Sequence, residues 1–126
     1  MHSNEKVLDA IAAGDPDALA DVIADDVVVH VPGRSRLAGD LRGRGALGRA
    51  IKELTGGLPT ADVHDVLGSD AHAVGICTNR VDCPDRSFEW RHVNVYHVQD
   101  GKIVEVWSNP FEQDAFDELC GGLPPR

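Results

Sequence analysis

The sequence predicts an α+β fold in which N-terminal helices pack on a curved, mostly antiparallel sheet and enclose a pocket. Apolar residues recur at helical spacing in the first part of the chain, and from Thr60 onward they recur at every second position. A length of 126 residues accommodates one domain, residues 1–126. Because a sheet that packs helices on one face curls around them, a cavity is expected between the two layers.

Two helices are expected at the start of the chain. Ser3 can cap the first helix, and Gly14 can end it in the left-handed conformation that glycine adopts at low cost. Asp15 followed by Pro16 begins a second helix at once, because a capping carboxylate and a proline at the first helical position favour initiation. The buried stripes are Val7, Leu8 and Ile11 in the first helix and Leu19, Val22 and Ile23 in the second.

A strand, a loop and a third helix are expected next. The β-branched run at residues 27–31 is typical of a strand that ends at Pro32-Gly33. Residues 33–45 are rich in glycine and arginine but lack the GxxxxGK[ST] pattern of a phosphate loop, so they are predicted to form a structural loop. The helix that follows ends at Gly56-Gly57. Its apolar face carries Leu47, Ala50, Ile51 and Leu54.

Four further strands are expected in the second half, separated by tight turns. Asp100-Gly101 is the strongest hairpin signal, and Ser69-Asp70 and Cys83-Pro84-Asp85 supply the other turns. A short amphipathic helix is expected from Asp114 onward. The predicted strands span residues 60–67, 71–80, 87–98 and 103–108.

Composition narrows the classes of function and partner. Twelve Lys plus Arg against 21 Asp plus Glu give a formal charge of −9 at pH 7, so phosphate backbones and anionic membrane surfaces would repel the chain. We therefore expect no nucleic-acid or membrane partner. Three cysteines without zinc-like spacing, and a start unlike a signal peptide, predict reduced thiols in a cytoplasmic protein. Histidines from scattered positions predict no metal, and no cofactor motif is present.

The strand at residues 87–98 carries the side chains most typical of a ligand site. Polar groups inside an apolar stripe cost roughly a few kcal/mol each unless they are hydrogen-bonded. His92 and Asn94 are therefore either satisfied by the protein or available to a ligand, and both alternatives stay open. The residues that share this face are Phe88, Trp90, His92, Asn94, Tyr96 and Val98.

Two neighbouring strands add a candidate base and a candidate interface. His30 ends its strand and is expected near one rim of the cavity, where an imidazole with a pKa near 6.5 could move a proton; the alternative is an exposed strand-end histidine. Val93, Val95 and Trp107 on outward faces would leave an apolar patch, which predicts a homodimer through that face. On the last strand, alternation places Val104, Val106 and Ser108 on one face and Ile103, Glu105 and Trp107 on the other.

Several phrases are distributed over nearly the whole chain. They are Ala13-Gly14-Asp15, Ala24-Asp25-Asp26, His30-Val31-Pro32-Gly33, Leu37-Ala38-Gly39-Asp40, Arg42-Gly43-Arg44, Val63-His64-Asp65-Val66-Leu67 and the run from Asp100 to Trp107. In these phrases and in its order of elements the chain resembles the SnoaL-like branch of the NTF2-like superfamily, which implies a cone-shaped α+β fold. The superfamily hosts isomerases, dehydratases, cyclases, epoxide hydrolases and non-catalytic binders, so the resemblance does not imply one reaction.

The catalytic carboxylates of two related families do not carry over. The general base of ketosteroid isomerases corresponds to Val31, and their two oxyanion-hole donors correspond to Val7 and Asn94. The acid/base aspartate of SnoaL-type cyclases follows a tryptophan on the last strand, whereas here Trp107 is followed by Ser108. Neither reaction can therefore be transferred on the resemblance alone.

The first hypothesis is an enzyme of isomerase, lyase or cyclase type that moves a proton on an apolar carbonyl-bearing ligand, such as a polyketide or steroid-like compound. His30 or His92 would move the proton, and Asn94 with Tyr96 would hydrogen-bond the oxygen that gains charge. The alternative is a non-catalytic ligand-binding or dimeric accessory domain. The residues expected to contact the ligand are Trp90, Tyr96, Val31, Val106 and Ser108.

Overall fold

The computed structural model describes residues 4–14, 16–84 and 86–120. It confirms an α+β fold with helices on a curved, mostly antiparallel sheet. The helices are α1 (Glu5–Ala13), α2 (Pro16–Ala20), α3 (Ala46–Thr55) and α4 (Gln113–Leu119). The strands are β1 (Ile23–Val31), β2 (Gly39–Arg42), β3 (Thr60–Gly68), β4 (His72–Asp82), β5 (Ser87–Gln99) and β6 (Lys102–Pro110).

The six strands form one sheet in the order β2-β1-β6-β5-β4-β3. Strand β1 pairs parallel with β6, and the other neighbouring strands pair antiparallel. We call the face that packs against the helices the inner face and the opposite one the outer face. No described helix combines the length and apolar character needed to cross a membrane.

Helix α1 ends where glycine was expected to end it. Gly14 adopts φ 65° and its N–H donates to the Ile11 carbonyl, which satisfies a terminal carbonyl in the usual left-handed cap. The expected caps Ser3 and Asp15 lie outside the described residues. Asn4 precedes α1 and is 2% exposed. Its side-chain amide donates to the carbonyls of Ser69 and Asp70 at 2.8 and 2.6 Å, which ties the helix to the β3–β4 turn.

Two elements near the N-terminal half differ from the sequence prediction. Helix α2 ends at Ala20, and Ile23 begins β1 instead of completing the helix. The predicted loop contains strand β2, which pairs antiparallel with β1 and places Asp40 opposite His30. Local composition does not reveal β2 because this edge strand has only four residues, is mostly exposed and carries no apolar alternation.

A register shift changes which face the start of β6 presents. The pairing of β5 with β6 shifts between His97 and Val98, so Ile103 lies opposite Val98, while Val106 lies opposite Tyr96. Ile103 is fully buried on the inner face, whereas unbroken alternation had placed it on the outer one. The extra residue of a bulge accounts for the difference, since it inverts the alternation on one side of itself.

Two apolar clusters fill the space under the helices. The first joins α1 to the middle of the sheet through residues such as Val7, Ile11, Tyr96 and Val106. The second joins α3 and α4 to the other end of β5; it contains Val31, Leu37, Ile51, Val81, Trp90, Phe116, Leu119 and Cys120.

Candidate functional site

The predicted cavity lies between the inner face and the helices. It has a volume of about 400 Å³, and its wall includes residues from α1, α2, α3, β3, β4 and β5. Leu58, 59% exposed, lies at its mouth. Most of the wall is apolar, and its side-chain polar groups include those of Asn79, Asn94 and Tyr96. Such a wall suits a small, largely apolar ligand that is oriented by a few hydrogen bonds.

Two glycines keep the cavity open. A Cβ on Gly75, in the interior of β4, would lie 3.1 Å from Ile11 Cγ2 and 3.5 Å from Tyr96 Cε2. Gly48 on α3 has more room, because a Cβ there would meet only Leu58 Cδ1, at 3.9 Å. A glycine inside a strand often marks a close approach of another group, and at Gly75 the side chain of Ile11 approaches most closely, followed by the Tyr96 ring.

A chain of hydrogen bonds runs along the inner face of β5. The indole N–H of Trp90 donates to His92 Nδ1 at 3.0 Å, and His92 Nε2 lies 2.8 Å from Asn94 Oδ1. The Asn94 amide donates to the Tyr96 hydroxyl oxygen at 3.2 Å. The chain forms because alternate residues of a strand project from the same face. Ser108 on β6, 1% exposed, places its Oγ 2.8 Å from His92 Nε2.

Burial keeps His92 and Tyr96, the ionisable groups of this row of hydrogen-bonded side chains, neutral. Desolvation lowers the pKa of His92 to about 4, against the opposing hydrogen bond to Asn94. Desolvation likewise raises the pKa of Tyr96 to about 12, with Asn94 opposing it. At neutral pH, His92 is an uncharged imidazole and Tyr96 an intact phenol.

Cys77 lines the same cavity, but its thiol stays protonated. Burial, with a smaller contribution from Asp62, raises the pKa of Cys77 to about 11. Its S–H donates to Asn79 Oδ1 at 3.3 Å. Because the thiolate is the nucleophilic form of cysteine, Cys77 does not act as a nucleophile at neutral pH.

His30 lies on the outer face and not at the rim of the cavity. Val29 and Val31 project inward from β1, so alternation turns His30 outward, beside Asp40 of β2 and Trp107 of β6. Its Nδ1 lies 2.7 Å from Asp40 Oδ1, and its Nε2 is hydrogen-bonded to Glu105 Oε2. The hydrogen bonds to Glu105 and then Asp40 raise the pKa of His30. The expected position of the candidate base was therefore wrong.

The other predicted site residues divide into three groups. Asn94 and Tyr96 line the cavity, whereas His92, Trp90 and Ser108 reach it through the hydrogen-bond chain. Trp90 also packs against Phe116, with ring centroids 5.4 Å apart. Val31 and Val106 belong to the two apolar clusters and do not line the cavity.

Strand β4 supplies cavity residues that the sequence analysis missed. Gly75, Cys77 and Asn79 lie directly opposite Asn94, His92 and Trp90 and share their face. Their alternation, with a glycine inside a strand, is the signal that could have identified them. Among the described residues, no cluster of three or more His, Cys, Asp or Glu side chains could hold a metal ion.

The chain belongs to the SnoaL-like domain family, whose sequence profile matches residues 4–106. Among solved structures it is similar to Bal32a from a soil-derived mobile gene cassette, at 28% identity and a TM-score of 0.73, covering 94% of this chain and 95% of that one. No functionally curated protein matches it.

Two further structures share the fold at lower identity. TerC, co-crystallised with polyporic acid, is 19% identical with a TM-score of 0.73, covering 94% of this chain and 98% of that one. IdmH from Streptomyces antibioticus, described as a candidate polyketide cyclase, is 24% identical with a TM-score of 0.57, covering 90% of this chain and 94% of that one.

Proposed function

We propose that the protein binds a small, largely apolar molecule in the inner cavity and donates a hydrogen bond from Tyr96 to a carbonyl oxygen of that molecule. One observation carries the proposal. The Tyr96 oxygen accepts from Asn94, and among the described residues its own proton has no acceptor. That proton is therefore available to a ligand in a mostly apolar cavity.

A hydrogen bond to a carbonyl oxygen stabilises the negative charge that develops there during enolisation. This chemistry assists isomerisation, dehydration or ring closure. IdmH, described as a candidate polyketide cyclase, and TerC, co-crystallised with polyporic acid, have the same fold. In this proposal Tyr96 polarises the ligand and His92 orients Asn94, because Trp90 occupies the lone pair that His92 would need as a base.

The second candidate is a ligand-binding protein without catalysis. It is favoured by the cavity wall, whose described residues include no aspartate, glutamate or histidine. A proton-transfer enzyme needs a base within reach of the substrate. The two candidates share the binding site and differ in turnover.

Binding can be tested with 2-acetonaphthone, an apolar aryl methyl ketone, by following amide resonances in nitrogen–proton spectra. We expect saturable shifts at Gly75, Cys77 and Asn94. Gly48→Leu fills the cavity mouth and should abolish them, whereas Glu53→Leu, which adds the same side chain at an exposed position of α3, should preserve them. Shifts that survive Gly48→Leu would place the ligand elsewhere and contradict the proposal.

Turnover can be tested with the same ketone in heavy water. If Tyr96 polarises the carbonyl while solvent deuteroxide removes the methyl proton and the enolate then takes a deuteron from the solvent, methyl exchange should accelerate on the order of 100-fold over buffer. Tyr96→Phe should remove the acceleration. Saturable binding with exchange at the buffer rate would favour the non-catalytic candidate.

We also propose that the outer face pairs with a second copy of the chain. Val74, Val95 and Trp107 lie directly opposite one another across β4, β5 and β6, and each is half-buried. A patch that pairs with itself about a two-fold axis can cover such a row in both copies. Beside this row, His30 lies between Asp40 and Glu105, so a protonated imidazole there reduces the negative charge that two copies would bring together.

Light scattering tests this pairing at micromolar concentration. We expect the mass of a dimer, a monomer for Val95→Asp, and an unchanged dimer for Glu89→Gln, which alters an exposed residue of the same strand. A wild-type monomer would overturn the pairing.

A single domain over residues 1–126 and a cytoplasmic location stay predictions. The described cysteines Cys77, Cys83 and Cys120 are free thiols.

A further inference from the structure

We infer that Trp90 fixes the direction of the hydrogen-bond chain on β5 and so makes the cavity selective for ligands that present an oxygen acceptor. This inference rests on the proposed function, because it concerns the same cavity. It assigns Trp90 and His92 as positioning residues, neither of which lines the cavity. The ligand class that it names is a ketone, quinone or enolate with an otherwise apolar body.

The direction is set at the buried end of the chain. An indole N–H can only donate a hydrogen bond. His92 Nδ1, which receives it at 3.0 Å, must therefore carry a lone pair, and the proton of the neutral ring must be on Nε2. Trp90 and His92 are 3% and 2% exposed, so solvent offers little alternative to this bond.

The next bond follows from that tautomer. His92 Nε2–H points to Asn94 Oδ1 and Ser108 Oγ, each 2.8 Å away, and both can only accept from it. The amide of Asn94 must then present its oxygen to His92 and its nitrogen to Tyr96. The orientation of Asn94 is therefore a consequence of the indole two steps earlier.

The last member of this row of hydrogen bonds is the Tyr96 hydroxyl, which can donate into the cavity. Because Asn94 donates to the Tyr96 oxygen at 3.2 Å, the single phenolic hydrogen is left for the ligand. Successive hydrogen bonds in the same direction polarise one another, which strengthens the last donor. Reversing the chain would require the indole to accept a hydrogen bond, which it cannot do.

A separate pair of residues, Cys77 and Asn79, also presents a hydrogen-bond donor to the cavity. The Cys77 thiol donates to Asn79 Oδ1 at 3.3 Å, which leaves the Asn79 amide hydrogens as the unoccupied end of that side chain. Cys77 and Asn79 both line the cavity beside Asn94 and Tyr96. The Asn79 amide and the Tyr96 hydroxyl are therefore two separate donors of the cavity wall, and each can bond an oxygen acceptor of a ligand.

The first test needs no ligand. Long-range nitrogen–proton spectra of the wild-type protein report the tautomer of His92. We expect the Nε2–H form with Nδ1 as acceptor, and a protected Trp90 indole proton. The Nδ1–H form would overturn the inference, because a protonated Nδ1 could not accept from the Trp90 indole. Trp90 would then not set the direction of the hydrogen bonds along β5.

The second test compares 2-acetonaphthone with 2-isopropenylnaphthalene, in which a methylene group replaces the carbonyl oxygen. We expect the ketone to bind about threefold to tenfold more tightly, the contribution of one hydrogen bond. Tyr96→Phe should lower that ratio at least twofold, because it removes the phenolic donor. Equal wild-type affinities with cavity resonances shifted by both ligands would overturn the inference and leave the proposed binding site intact. Binding of neither ligand would overturn both.

Trp90→Phe tests the positioning role directly. Without the indole donor, His92 should populate both neutral tautomers, and the preference for the ketone should fall at least twofold. Trp107→Phe, the same change on the outer face, should alter neither the tautomer nor the preference. An unchanged tautomer and preference in Trp90→Phe would contradict the role of Trp90. If Trp90→Phe does not fold, the wild-type tautomer and the Tyr96→Phe ratio still decide the inference.

Discussion

His92 and His30 lie on opposite faces of one sheet, and their surroundings have opposite effects on their charge. His92 is 2% exposed among neutral partners, and its pKa falls to about 4. The His30 side chain is 29% exposed, contacts Asp40 and Glu105, stacks on Trp107 and has a raised pKa. The comparison shows that a histidine in a strand identifies neither a base nor a cation until its burial and its partners are known.

The largest contrast between the faces is expected in packing. Trp90→Ala should lower the free energy of unfolding by about 3–5 kcal/mol, because it empties a buried site against Phe116. Trp107→Ala, at a half-buried position of the outer face, should cost the isolated monomer less than half as much. Urea unfolding of both variants, at a concentration where light scattering gives the mass of a monomer, measures the difference. Equal losses would contradict the assignment of inner and outer faces.

The pH dependence of stability should separate the two histidines next. The folded pKa of His92, about 4, is below the unfolded value near 6.5, so the unfolded chain binds more protons between these limits. Its stabilising contribution is thus complete above pH 6.5 and is lost as the pH falls toward 4, by on the order of 3 kcal/mol. The stability difference between wild type and His92→Gln, measured by urea unfolding, should shrink over that range. A difference that is constant with pH would contradict a neutral His92.

His30 should show the opposite sign and a smaller effect. Its folded pKa is raised above the unfolded value, so its contribution is complete below pH 6.5 and is lost as the pH rises through the folded pKa. His30→Gln should cost about 0.5–1 kcal/mol at pH 6 and less at high pH. Proton titration spectra of His30 in the folded protein and in the urea-unfolded chain check the direction of the pKa change. A folded-state midpoint below that of the unfolded chain would contradict it.

Much of the candidate site could be predicted from one strand. Trp90, His92, Asn94 and Tyr96 are each two residues apart, and a strand projects such residues from one face. All four were therefore expected on one face, and the structure joins them by hydrogen bonds. Spacing alone does not distinguish groups satisfied by the protein from groups that contact a ligand, because that depends on which of their atoms the neighbouring strand and helices leave uncovered.

The positions that the sequence analysis missed depend on strand pairing. His30 was expected at the cavity rim, but the partners of β1 decide which of its two faces is inner, and they place Asp40 and Glu105 beside the ring. Ile103 changed faces because of a register shift between β5 and β6. Gly75 and Cys77 became cavity residues because β4 lies beside β5 in register.

The sequence by itself determined the α+β class, most elements, the cap at Gly14 and the row of polar and aromatic side chains on β5. These follow from interactions within a few residues, where spacing and backbone preference act directly. Only the tertiary structure decided the opposite pKa shifts of His92 and His30 and the cavity beside Gly75. A pKa and a cavity depend on groups far apart in the chain, and strand pairing and packing alone bring those groups together.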